Sequence, residues 1–217
     1  MFIGHWAPAL AVAAKRDKPG LGTLFIAAQL IDWAFFAFVL SGAEHMRLVP
    51  GLTAVSPLDL YDMPYTHSLL GALVFGGGTT VIIWPLLRDR TAGLVAGAVV
   101  VSHWLLDLLV HMPDLTLTGS SPKLGLGLWN YPLIEMPLEL AITFGALWLY
   151  VKTRRPALNR ALVLGAVLLA LQLFNWFGPV DTEVTPATSY LALFAYGLIT
   201  FIAWWMGKSA GLTVQAD

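Results

Sequence analysis

The sequence has no cysteine and little charge. Without cysteine there is no disulfide and no thiolate, so a metal bound by side chains would rest on histidine and carboxylate. That donor set suits zinc, manganese or iron better than a soft metal. Charged residues make up 12% of the 217 positions, against roughly 25% in soluble domains, while 58% are hydrophobic and mean hydropathy is +0.74. This is the composition of a membrane protein. A net charge of −1 leaves no basic surplus to meet nucleic acid. No basic residue precedes the apolar opening MFIGHWAPALAVAA, the reverse of the order in a cleavable signal. It reads as a retained segment, too short to span a bilayer. Gly-rich phosphate loops, nucleophile elbows and HExxH motifs are also missing.

What is present is a series of long apolar runs. Six stretches, 21–42, 66–87, 91–113, 132–152, 158–179 and 187–207, approach the ~20 residues needed to cross a bilayer. Proline, glycine and charged residues punctuate the gaps, and there is no internal repeat. The expectation is an all-α polytopic bundle of about six transmembrane helices with a short N-terminal membrane-embedded segment. It forms one domain over 1–217, with polar chemistry confined to 1–140 and helices 158–207 acting as scaffold.

Charge places the loops. Lys15, Arg16, Lys18, Arg88, Arg90, Lys152, Arg154, Arg155, Arg160 and Lys208 fall on one side of this topology, and only Arg47 and Lys123 on the other. The positive-inside rule then puts both termini in the cytoplasm. At 1.5 Å per residue, Asp32 and His103 come near mid-membrane. His67, Asp107, His111, Glu135 and Glu139 lie in the outer half, and His5 climbs to about the depth of Asp32 if its segment is helical.

His103, Asp107 and His111 are spaced i, i+4, i+8 in SHWLLDLLVHMPD. On a helix they share one face, about 6 Å apart per step. Ionisable groups at membrane depth are expensive and mark functional sites. Asp32, His67, His103 and Asp107 can complete one metal's coordination shell; a hydrogen-bonded polar seam between helices is the plainer alternative. Glu135 and Glu139 repeat the i, i+4 spacing, and two adjacent carboxylates call for a cation or proton between them. With His111 and His5 they could hold a second metal, Asp107 bridging, although Glu135 also suits the polar first turn of its helix. Asp62 is expected to orient a histidine or act as general base. Glu44 and His45 are candidate ligands or ordinary interfacial residues. The glycine-containing loop 117–132 could cover the site, with Lys123, Trp129 and Asn130 meeting an anionic head group; an interfacial anchor loop is the simpler reading.

MFIGH, QLID around Asp32, DMPYTHS around His67, SHWLLDLLVHMPD and GLGLWN…PLELA together resemble the YdjM-like inner-membrane metal-dependent hydrolases over roughly residues 1–140. More distantly, the order of histidines and carboxylates is similar to the zinc-dependent phospholipase C and single-strand nuclease superfamily. The resemblance implies a bacterial-type inner membrane and one to three zinc ions. Asp32, His67, His103 and Asp107 would hold one, and His5, His111 and Glu139 would serve the others, with Asp107 shared. Glu135 stands where that pattern has a histidine, and His111 follows Asp107 more closely than the pattern does.

The function expected is a membrane-embedded hydrolase that cleaves a phosphoester of a lipid or amphiphile in the outer half of the bilayer. A metal lowers the pKa of its bound water to about 7, supplying hydroxide at neutral pH, and Asp62, Asp107 or Glu139 would handle the proton. The rivals are a proton- or cation-coupled transporter using the same carboxylates and a non-catalytic metal- or lipid-binding protein. The sequence leaves oligomeric state open.

Overall fold

The computed structural model describes residues 1–211. A 3-10 turn, Ile3–Trp6, leads into α1 (Ala7–Lys15). Six longer helices follow: α2 (Leu21–Ser41), α3 (Leu69–Leu87), α4 (Arg90–Val110), α5 (Pro132–Arg154), α6 (Leu158–Phe177) and α7 (Pro186–Gly207). All six are long and apolar enough to cross a membrane, so the protein is an all-α polytopic bundle. Two ribbons join helices at one end: β1 (His45–Leu48) with β2 (Leu58–Asp62), and β3 (Leu115–Thr116) with β4 (Lys123–Leu124), both antiparallel.

Helix ends follow local chemistry. α2 stops at Gly42, whose φ of 73° suits a residue without a Cβ. Ser68 and Asp89 cap α3 and α4 by accepting the backbone N–H groups of Gly71 and Ala92. Prolines open α5 and α7, where no N–H is needed, and Thr185 with Thr188 forms a capping box. Two expected span boundaries shift in a way that matters. α3 starts at Leu69, leaving His67 in the turn before it, and α4 ends at Val110, leaving His111 on extended backbone at φ −65°, ψ 146°.

α1 lies inside the bundle, against α2, α4 and α5. Its Ala9, Leu10, Ala13 and Ala14 are buried, and alanine there allows a helix to fit between helices. This carries the 3-10 turn and Met1 deep into the fold. In contrast α3 packs mainly on α4, and its Leu70, Leu73, Val74, Val81 and Ile82 are exposed. With no driving force to bury apolar side chains away from lipid, that face is suited to hydrocarbon.

The α3–α4 contact is backbone to backbone. A Cβ at Gly97 would lie 2.5 Å from the Gly76 carbonyl oxygen, and one at Gly76 would lie 2.8 Å from the Gly97 oxygen. Gly97→Val should therefore separate the two helices. A destabilisation of about 1–3 kcal/mol, read as a lower midpoint of thermal unfolding in detergent, is expected; Gly77→Ala, where a Cβ meets nothing within 4 Å, should leave that midpoint almost unchanged.

Candidate metal centre

The bundle brings together polar side chains from four segments. His5 comes from the N-terminal turn, Asp32 from the middle of α2, His67 from the turn before α3, and His103 and Asp107 from α4, with His111 just past its end. The four histidines and Asp107 are buried, and Asp32 keeps 15% of its side chain exposed. Asp107 is the hub. Its Oδ1 lies 2.9 Å from the α-amino nitrogen of Met1, 3.0 Å from His5 Nε2 and 3.2 Å from His111 Nε2. Its Oδ2 lies 3.1 Å from His103 Nε2 and 3.6 Å from His67 Nε2.

The outward-facing atoms are held by other partners, and these settle the tautomers. His103 Nδ1 is 2.9 Å from the Ala28 carbonyl oxygen, which can only accept, so Nδ1 carries the proton. His111 Nδ1 likewise meets Asp114 Oδ1 at 2.9 Å. The Thr66 hydroxyl donates its one proton to Glu44 Oε2 at 2.6 Å, so its oxygen accepts from His67 Nδ1 at 2.9 Å. Glu44 is buried and also accepts the Tyr65 and Thr66 backbone N–H groups. Asp32 Oδ2 accepts from Gln29 at 2.6 Å and from the Tyr196 hydroxyl at 3.3 Å, leaving Oδ1 inward. Three imidazoles thus turn Nε2 to the centre, the atom that carries the lone pair when the ring is neutral. His103 Nε2 has no hydrogen-bond partner.

This arrangement fits a divalent ion. Bonds of about 2.0–2.2 Å in a tetrahedral shell place neighbouring donor atoms about 3.3–3.6 Å apart. Asp32 Oδ1 is 3.3 Å from His67 Nε2 and 3.4 Å from His103 Nε2, and Asp107 Oδ2 is 3.6 and 3.1 Å from the same two nitrogens. Asp32, His67 and His103 form one group of donors within 4.8 Å of each other, and His5, His103 and Asp107 form another. The fixed Nδ1 contacts are the outer-shell bonds that orient histidine ligands.

The remaining expected residues lie differently. Glu139 Oε1 accepts the N–H groups of Phe2 at 2.6 Å and Gly4 at 2.9 Å, and Oε2 accepts from Gln172 at 3.0 Å. It fastens the N-terminal turn in place and borders the cavity described below, but does not join either donor group. Glu135, one turn earlier, is also buried. Asp62 does orient a histidine, but that histidine is His45, at 2.7 Å on the exposed β1–β2 ribbon. Lys123 donates to the Tyr61 carbonyl, and Asn130 is exposed over Gly127. Trp129 is buried and stacks on His111, ring centroids 4.2 Å apart. Reading of the sequence passed over Gln29, Thr66, Asp114, Gln172 and Tyr196. Two of these were legible: Thr66 adjoins His67, and Asp114 follows His111 by three residues.

A cavity of about 330 Å³ reaches the centre, and Asp32, His67, Asp107 and His111 line its inner end. Helices α6 and α7, expected to be scaffold, form much of its wall. Compared with family models, with curated proteins and with solved structures, the chain matches none.

If Thr66 sets the orientation of His67, Thr66→Val should weaken zinc binding about 10–100-fold, measured by competition with a chromophoric chelator. Affinity equal to that of the wild type would show that His67 needs no such partner.

Proposed function

We propose that the protein is a membrane-embedded metal-dependent hydrolase acting on a phosphoester of a lipid or amphiphile, akin to the YdjM-like family its motifs resemble. The observation that carries this reading is that Asp32 Oδ1 and Asp107 Oδ2 each lie 3.1–3.6 Å from both His67 Nε2 and His103 Nε2, with the outer atoms of these side chains already bonded. Zinc is the ion best matched to such a shell, with manganese and iron as alternatives. Asp107 offers its second oxygen to Met1, His5 and His111, which gives a second ion a place beside the first.

A divalent ion bound there supplies Lewis-acid activation of water and of a phosphoryl oxygen. The protein's own groups do the rest. The buried imidazoles, with Nδ1 held as donor, would present Nε2 lone pairs to the ion in their neutral form. Asp32 reaches the cavity more openly than Asp107, at 15% against 2% side-chain exposure, and is assigned the proton released by the attacking water. As the water oxygen joins phosphorus, the P–O ester bond breaks and the leaving alcohol takes up the proton that Asp32 received. The positive-inside distribution of charge supports a cavity opening at the outer leaflet, where a head group is within reach without extraction of the lipid.

His103→Ala and Asp107→Ala, each checked for unaltered helical content and melting, should lower zinc-dependent phosphodiester hydrolysis by at least about 100-fold, the scale of losing several kcal/mol of charge stabilisation. Undiminished turnover in both variants would remove these residues from the chemistry. Metal-driven flux into liposomes without turnover would make the protein a transporter instead.

A further inference from the structure

The cavity has two chemically distinct ends. The inner end is the His/Asp centre. Beyond it the wall is mostly apolar: Phe35 and Phe36 from α2, Met46 and Leu60 from the β1–β2 ribbon, and Leu171 and Leu191 from α6 and α7, interrupted by Ser56, Asn175, Asp181 and Thr188. No lysine or arginine lines it among the described residues. The Tyr196 hydroxyl, which also borders it, is engaged with Asp32. A sugar or nucleotide entering here would bring more hydroxyl and amide groups than these few side chains can pair, at about 1–3 kcal/mol for each left unpaired. A hydrocarbon would lose nothing.

Size narrows the choice. About 330 Å³ is at the small end of the ~300–1,000 Å³ that holds a compact organic ligand, which leaves room for one chain rather than two. The lining on α7 runs from Thr188 to Tyr196, about 12 Å of helix at 1.5 Å per residue. Along that stretch the smallest side chains facing the cavity are Ala192 and Ala195, where a larger residue would project into the space.

Resting on the hydrolase reading above, we propose that one hydrocarbon chain of the substrate lies in this cavity, ester at the His/Asp centre, and that Ala192 and Ala195 set the chain length admitted. Helices α6 and α7 are then the specificity wall of the site. A head group that meets only the centre must be small, so a simple alkyl phosphoester fits better than a glycosylated or nucleotidyl one.

The test uses the full chain in amphipol, zinc-loaded, with monomeric alkyl phosphodiesters of increasing chain length. In water each methylene buried is worth about 4-fold in kcat/KM, an advantage that would vanish if the substrate chain were already dissolved in a bilayer. Wild type should show that rise and then a plateau. Ala195→Trp should flatten it, with metal content and melting temperature as checks on folding, and Ala192→Phe serves if the first variant does not fold. Turnover with no dependence on chain length in the wild type would overturn the chain pocket while leaving the hydrolase reading intact. If no diester turns over, the hydrolase reading fails, and a diazirine-bearing alkyl phosphate decides the pocket separately. Crosslinks to the 188–196 segment that disappear in Ala195→Trp would support it; crosslinks only elsewhere would overturn it.

Discussion

The site depends on one desolvated carboxylate. Asp107 sits at 2% exposure inside a bundle of apolar helices, where a lone charge would be prohibitive. Its surroundings compensate: five nitrogen atoms from Met1, His5, His67, His103 and His111 approach its two oxygens within 3.6 Å. The outer bonds fix how those nitrogens approach. Because Ala28, Thr66 and Asp114 take the Nδ1 protons, the Nε2 atoms are the ones left to face Asp107 and Asp32, and a proton or a metal cation must lie between each nitrogen and its carboxylate. A divalent ion among these donors would meet that requirement for the whole cluster at once.

The rest of the fold serves this constraint. α1 is short and alanine-rich so that it can enter the bundle and bring His5 and Met1 to the centre. Glu139 then holds that segment by the Phe2 and Gly4 N–H groups, with Gln172 on its other oxygen. Glu44 does comparable work at the other side, gathering the backbone ahead of α3 so that His67 is presented from a turn. The close α3–α4 pairing keeps His67 and His103 in register. Tyr196 ties α7 to Asp32, which joins the apolar wall to the polar centre.

Much of this was legible in the sequence, for a simple reason. Six apolar runs of membrane length leave few alternatives for fold, and ionisable residues within them are rare enough to stand out. His103 and Asp107 meet on one face of α4 because four-residue spacing on a helix requires it. His111 arrives by another route: the helix ends one residue before it, and extended backbone turns it back onto Asp107. Spacing alone could not distinguish these. Glu139 read as a ligand because i, i+4 carboxylates on a helix are a common metal pattern. Its partners are backbone groups about 135 residues away, a contact that no local pattern records. Tyr196 and Gln172 were hidden for the opposite reason, as single polar groups in long Leu/Phe-rich runs whose importance appears only when α6 and α7 are packed against the cavity. Asp62 is near His67 in sequence, which suggests a place at the site, but the β1–β2 ribbon carries it to an exposed edge beside His45.

The most direct test of the central claim is the metal content of the purified full chain by inductively coupled plasma mass spectrometry, before and after reconstitution with zinc or manganese. At least one tightly held ion per chain is expected, and two if both oxygens of Asp107 are used. A chain that remains metal-free after reconstitution would contradict the account, and the cluster would then be a proton-stabilised polar network rather than a metal centre.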